Sequence, residues 1–430
     1  MSMKRWATVC LLAGLTGACG EAVEGDLEAL SSVELELAGV STRIQAEAYD
    51  RFNYSRPRPR RRGTSPFDFA ALGEPNPNCT FDSTTDSDGD RLPDRAETNT
   101  GVFVGPNNTG TSPTSPDTDA DGISDGDEAL GTTAGLDLPR LGLNPLRKNI
   151  LLEYDWFTDS IAPCEPHSHR PNQVLLDRVS SAFANAPVSN PDGTTGITLI
   201  HDFGQGGVLT GGNFISDSDG VVDVFESEYQ AYKSANFAAN RVGYFHYVLM
   251  PHAYRSLGNT SSGVAFIVGS DMIVSLQCSA SDVNVGNTIM HELGHNLGLH
   301  HGGFEATNNK PNYNSVMNYN YQFPGVDDNC TPPGDGVLDY SRNERITLNE
   351  AALNESVGIC SDVAWDWDRN GSIQTNVSID INGDGPLTML TDYNDWANLV
   401  YAFAPSPAVG ASSNRLSQQV AVCDNPAPAP

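Results

Sequence analysis

Basic residues are scarce in this 430-residue chain: 24 Lys and Arg stand against 54 Asp and Glu, a formal net charge of −30 at pH 7. That balance excludes a nucleic-acid partner gripped through its phosphates. Long apolar runs are also missing. Beyond the first twenty or so residues no segment is apolar for long enough to cross a bilayer as a helix. Cysteines number eight, yet none is spaced like a zinc-binding cysteine pair.

What is present is concentrated in HELGHNLGLHH at 291–301. His291 and His295 lie four apart, so on a helix they share a face, one turn from each other. Two imidazoles so placed can share a zinc ion at about 2.0–2.1 Å. Glu292, beside the first ligand, is suited to act on a zinc-bound water instead of on the metal. On a continued helix His301 would lie roughly 9 Å along the axis from His295 and off its face. Gly298 removes the conflict, because glycine takes the left-handed conformation that ends a helix and lets the chain return His301. His300 adjoins it, but the offset from His291 favours His301, and His300 reads as a neighbouring polar residue.

At the amino terminus, MSMKRWATVCLLAGLTGAC puts Lys4 and Arg5 ahead of a short apolar run, and small residues lead into Cys19. Residues 1–19 have the pattern of an export signal, too short for a membrane span. They also resemble a bacterial lipoprotein box, with Thr16 where a larger aliphatic residue is usual. Cys19 would then carry lipid and tether the protein outside the cytoplasm; cleavage and release is the other reading. With Cys10 and Cys19 set aside, Cys79, Cys164, Cys278, Cys330, Cys360 and Cys423 remain. In an oxidising compartment they allow up to three disulfides of open pairing.

Much of the acid sits in two matched stretches, DSDGDRLPDRAE at 86–97 and DTDADGISDGDE at 117–128. Asp86, Asp88, Asp90, Asp94 and Glu97 share their spacing with Asp117, Asp119, Asp121, Asp125 and Glu128. Alternating carboxylates followed by a turn and a later acid can wrap oxygens around calcium. A solvated acidic linker is the plain alternative, and the repeated spacing argues against it. Both stretches resemble thrombospondin type-3 repeats, with Arg91 in place of the loop glycine of the first copy. Their low apolar content makes residues 81–145 a spacer expected to be ordered mainly by calcium. Residues 20–80 read as a weakly structured linker or pro-region, with RPRPRRRG at 56–63 as a cleavable or surface segment. Cys79 could cap the zinc in a latent form or enter a disulfide. Near the carboxyl end, Asp366, Asp368 and Asn370, then Asp380, Asn382 and Asp384, alternate without a closing acid, which suits cation loops or Asx turns equally.

From about residue 146 the pattern changes. NILLEYDWF (149–157), GITLIHDF (196–203), YFHYVLM (244–250) and GVAFIV (263–268) read as strands. Residues 172–186 carry Leu175, Val179, Ala182 and Phe183 at helical spacing up to Pro187. A further helix is expected around 225–240, and the metal helix starts near Asn284 to Asn287. Strand, helix and strand leading into a zinc helix make an α/β arrangement with few helices. It spans residues 146–405, with 406–430 as a tail. His246, His252, His167 and His169 read as structural or cleft-lining residues.

Downstream, NYNSVMNYNYQF at 312–323 contains Ser315-Val316-Met317-Asn318-Tyr319. Taken with the zinc motif, it resembles the Met-turn of the metzincin metallopeptidases. The resemblance covers roughly 146–405, its specific motifs only 291–301 and 315–319. It implies Met317 packed beneath the three zinc-bound imidazoles. It also implies Tyr319, with Tyr321 competing, near the metal as a resting ligand or a hydrogen-bond donor to the tetrahedral intermediate. The fold implied has a twisted mixed sheet with two long helices above a cleft and an irregular subdomain after Gly298, which takes in LDYSR at 338–342. The activity implied is hydrolysis of a protein or peptide substrate, with zinc polarising the carbonyl and Glu292 moving the proton of the zinc-bound water to the departing amine. Two other classes fit the motifs. One is a calcium-dependent surface or adhesion protein with an inactive protease-like domain, against which the intact Glu292 and ligand set argue. The other is a zinc hydrolase acting on a non-peptide amide.

Overall fold

The computed structural model describes residues 84–279, 281–401 and the backbone of 420–426. The export signal, Cys19, the basic stretch and Cys79 lie outside the described residues. Two short helices, α1 (Asp125–Leu130) and α2 (Leu138–Leu141), precede β1 (Asn149–Asp159), β2 (His167–Ser168) and α3 (Gln173–Ala184). Then come β3 (Thr198–Asp202), β4 (Phe214–Ile215), β5 (Val221–Val222), α4 (Ser227–Asn236), β6 (Phe245–Met250) and β7 (Ala253–Tyr254). β8 (Ser261–Phe266) and β9 (Asp271–Val274) lead into α5 (Asp282–Asn296), followed among the described residues by β10 (Leu348–Asn349), β11 (Met389–Leu390), a 3-10 turn at Trp396–Asn398 and β12 (Val420–Pro426).

The main sheet runs β12-β8-β9-β6-β1, with β3, β4 and β2 along the other edge of β1. β1 pairs in parallel with β3, β4 and β6, and β6 with β9, whereas β8 is antiparallel to β9 and β12. A strand with parallel neighbours on both sides is covered on both faces, and β1 is accordingly buried over most of its length, Asn149, Glu153 and Asp155 included. The mixed α/β sheet agrees with the sequence reading. Two details differ. α5 begins at Asp282, before Asn284, because Ser281 caps it by accepting from the Asn284 amide at 3.2 Å. β9 was not anticipated, since four residues are too few to show a period.

One face of the sheet packs α3 and α5 through Leu176, Val179, Phe183, Ile289 and Leu293 onto Leu152, Val248 and Met272. The other face carries α4 and the acidic segment. Ile123, Leu136, Leu138 and Leu143 share a core with Leu151, Phe157, Tyr247 and Leu249. This corrects the expected spacer: residues 84–147 are docked on the sheet. Each buried aliphatic side chain contributes about 1.5–3 kcal/mol, so apolar burial supports order here independently of a cation. The Asn149 amide also donates to Asp121 Oδ2 at 2.7 Å, and the Tyr244 hydroxyl to Asp127 Oδ2 at 2.6 Å. Arg91 takes φ +85°, near the +93° of Gly122 in the second copy. The glycine-type turn is therefore kept, at a cost on the order of 1–3 kcal/mol, while the guanidinium pairs with Asp127 and donates to the Gly131 carbonyl.

The region after Gly298 is irregular, with a small core of Leu348, Leu353, Ile359, Val377 and Leu390 beside the Cys330–Cys360 disulfide. The upper part holds the Cys164–Cys278 disulfide. The two acidic loops near the carboxyl end are closed from upstream. Glu355 accepts from the Trp367 and Gln374 amides at 2.7 and 2.8 Å, and Glu350 from the Ile381 and Thr388 amides at 2.8 Å each. Asp366 and Asp380 accept from the Gly371 and Gly385 amides five residues on, while Asp368 and Asn382 accept from the Asn370 and Asp384 amides two residues on as Asx turns.

Candidate metal centre

α5 sets His291 and His295 on one face, both fully buried, with ring centroids 4.8 Å apart. The helix stops where glycine allows it: Gly298 has φ +93°, and its amide donates to the His295 carbonyl at 2.9 Å. The returning chain brings the His301 ring to 4.8 Å from His295 and 5.3 Å from His291. One nitrogen from each of the three rings lies within 4.8 Å of the others. His300, half-buried, is not in this group.

Backbone carbonyls decide which nitrogens face the centre. His291 Nδ1 lies 2.7 Å from the Val316 carbonyl, and His295 Nδ1 2.7 Å from the Leu299 carbonyl. A carbonyl only accepts, so both Nδ1 atoms carry protons and both Nε2 atoms present lone pairs. The buried Nε2 of His291 has no hydrogen-bond partner among the described residues. Burial pushes His291 down to about 4 and His301 to about 3, and holds His295 well below its ordinary value. Three neutral imidazoles with converging lone pairs fit zinc.

Around these ligands, Glu292 is fully buried and packs against β8: a Cβ on Gly263 would lie 2.3 Å from Glu292 Oε1. Met317 is buried against the helix, since a Cβ on Gly294 would meet its sulfur at 2.3 Å. The turn that carries Met317 thus does two things, filling the space beneath the helix and supplying the carbonyl that orients His291. Tyr319, partly exposed, sits with its ring 4.5 Å from His301 and 5.9 Å from His291. Tyr321 is fully buried and donates to the Pro311 carbonyl at 2.5 Å, which takes it out of the competition. LDYSR has a visible role: the Tyr340 hydroxyl donates to the Met290 carbonyl at 2.6 Å, and Asp339 accepts from the Trp396 indole at 2.8 Å.

In the acidic segment, Asp86, Asp88 and Asp90 form one group, and Asp117, Asp119 and Asp121 another. A third mixes the copies, joining Asp90 and Glu97 to Asp125. Asp94 grips Ser87 through its amide and hydroxyl at 2.8 Å each, and Asp125 holds Thr118 in the same way. Burial, and after it the neighbouring carboxylates, push Glu97 up to about 8 and Asp119 to about 9; Glu128 is raised well above its usual range for the same reasons.

Four further residues gather elsewhere. His167, His169 and His252 meet Asp159, although the three histidines had read as structural and Asp159 had not been singled out. The available signal was His-x-His in an extended segment, which puts both rings on one face. His246 Nδ1 lies 3.0 Å from Asn296 Oδ1 on α5.

A mixed α/β domain with three converging imidazoles and an adjacent buried glutamate supports a metallopeptidase. Residues 181–332, about a third of the chain, match the family model described as gametolysin peptidase M11, a zinc metallopeptidase family. The matched stretch contains the histidine set, Glu292 and Met317. No curated protein and no solved structure matches the chain.

Proposed function

We propose that the chain is an exported, metzincin-like zinc endopeptidase, tethered through Cys19, whose acidic segment binds calcium. The observation that carries the peptidase reading is the pair of carbonyl contacts that turn the His291 and His295 lone pairs toward His301, with Glu292 next in sequence. Bound zinc supplies a Lewis acid and lowers the pKa of a water toward about 7. Glu292, walled in by β8, accepts the proton of the attacking water and returns it to the departing amine. Tyr319, at the open side of His301, donates to the developing oxyanion.

The test uses an unfolded protein substrate, with residues 20–80 removed in a parallel sample to exclude latency. Cleavage is expected to vanish with a zinc chelator, return with zinc, and fall about 10²–10⁴-fold in Glu292→Gln while zinc stays bound. A zinc-loaded wild type that cuts nothing the variant spares would end the proposal.

Calcium is supported by buried carboxylates whose outer oxygens, Glu97 Oε2, Asp119 Oδ2 and Glu128 Oε2, have no hydrogen-bond partner among the described residues. Several buried like charges repel unless a hard cation joins them. Calcium chelation is expected to speed proteolysis within residues 84–147 and leave the sheet protected; an unchanged cleavage rate would sink this part.

A further inference from the structure

We infer that Asp159, His167, His169 and His252 form a second metal site, built for zinc or a similar divalent transition metal, that fixes the loop between β1 and β2. Asp159 ends β1 and faces His167 across the β1–β2 ladder. His169 follows two residues later, and His252 enters from the turn after β6. Asp159 Oδ2 lies 2.7 Å from His169 Nε2 and 3.2 Å from His252 Nδ1, and its Oδ1 lies 3.9 Å from His167 Nδ1. One nitrogen per ring and one carboxylate oxygen fall within 4.8 Å of one another. A tetrahedral ion with bonds of about 2.0–2.1 Å separates its ligands by about 3.3 Å, so small side-chain rotations close this set.

The unsatisfied atoms point the same way. His167 Nδ1 lies 2.8 Å from the Glu165 carbonyl, so it carries the proton and Nε2 carries the lone pair. That Nε2 is buried with no hydrogen-bond partner among the described residues. His252 Nδ1, on a residue only 3% exposed, also has none, despite its approach to Asp159. A metal ion takes up the His167 lone pair and, by displacing the ring protons that face Asp159, joins His252 Nδ1 and His169 Nε2 to the same centre.

The donor chemistry selects the ion. Three nitrogens and one carboxylate exclude calcium and magnesium, which take oxygen, and suit zinc. Four protein ligands leave no position open for substrate, which marks a structural site. Its frame is built for this: Gly220 leaves room for His252, whose Cβ would lie 3.0 Å from an added Cβ there, and Ser275 Oγ donates to the His252 carbonyl at 2.9 Å. Cys164, in the same loop, is joined to Cys278 just ahead of α5. None of these residues belongs to the His291 centre, so the inference stands apart from the peptidase reading.

The experiment counts zinc per chain by elemental mass spectrometry on the full chain, loaded with zinc in excess calcium so that the acidic loops do not compete. Wild type is expected to hold two ions and a His291→Asn/His295→Asn variant one. The same variant carrying His169→Ala and His252→Ala is expected to hold none. If the last variant does not fold, metal-stripped His291→Asn/His295→Asn protein is melted with and without zinc, and zinc should raise its Tm. A folded His291→Asn/His295→Asn protein that holds no zinc and gains no Tm overturns the inference, as does a zinc ion that survives loss of His169 and His252. Zinc-loaded wild type without peptidase activity would sink the enzyme reading and leave these counts as they are.

Discussion

Alanine at position 263 is expected to lower kcat about a hundredfold, the scale of a 1 Å misplacement at a reacting group, while zinc content stays at the wild-type level. An added Cβ would lie 2.3 Å from Oε1, 2.7 Å from Cδ and 2.8 Å from Cγ of Glu292. Something must move, and β8 is poorly placed to do so. Gly263 pairs with Val274 of β9 on one side and with Cys423 of β12 on the other. The carboxylate therefore yields, keeping its charge but losing its position. The three imidazoles do not touch Gly263 in this packing, so metal binding is spared. Steady-state kinetics with zinc analysis on Gly263→Ala check this; a kcat within twofold of wild type would mean that the seat of Glu292 does not govern the reaction.

Arg241→Met is expected to cost about 3–5 kcal/mol of stability, the range for breaking a buried ion pair. The guanidinium lies 2.6 Å from Asp202 Oδ2 and also holds Glu153 Oε2, and both carboxylates are fully buried in the sheet. Burial already pushes Glu153 up to about 7 against the pull of Arg241. Without the cation, two carboxylates of like charge remain in the interior. The sign of the pH effect follows. A carboxyl raised in the folded state stabilises fully below its unfolded value near 4.3, and that contribution is lost as pH rises through the folded value. The deficit of Arg241→Met should thus be largest above about pH 7 and shrink toward pH 5. Urea midpoints across that range measure it; a pH-independent loss under about 1 kcal/mol would show that the pair behaves as if exposed.

How much could be read from the chain itself depended on how local each feature is. The three clustered imidazoles were legible because helix geometry and one glycine relate them within a short run. Tyr319 was separable from Tyr321 only in three dimensions, since the difference is the Pro311 carbonyl that occupies Tyr321. Asp159, His167, His169 and His252 escaped because three elements, spread over more than ninety residues, must meet before the set exists. The acidic segment was misjudged as a spacer for another reason. Ile123, Leu136, Leu138 and Leu143 stand among turns and acids with no period, yet each reaches the same sheet face. Glu350 and Glu355 were missed because a closing acid was sought after each loop instead of before it.

The two disulfides among the described residues enclose residues 164–278 and 330–360, covalent rings that neither nest nor cross. α5, His301, Met317 and Tyr319 all fall on the open stretch between them. The segment that carries the three imidazoles is thus a bridge slung between two cross-linked piers. Those two rings restrict the unfolded wanderings of the piers, and packing together with the Val316 and Leu299 carbonyls orders the span between them.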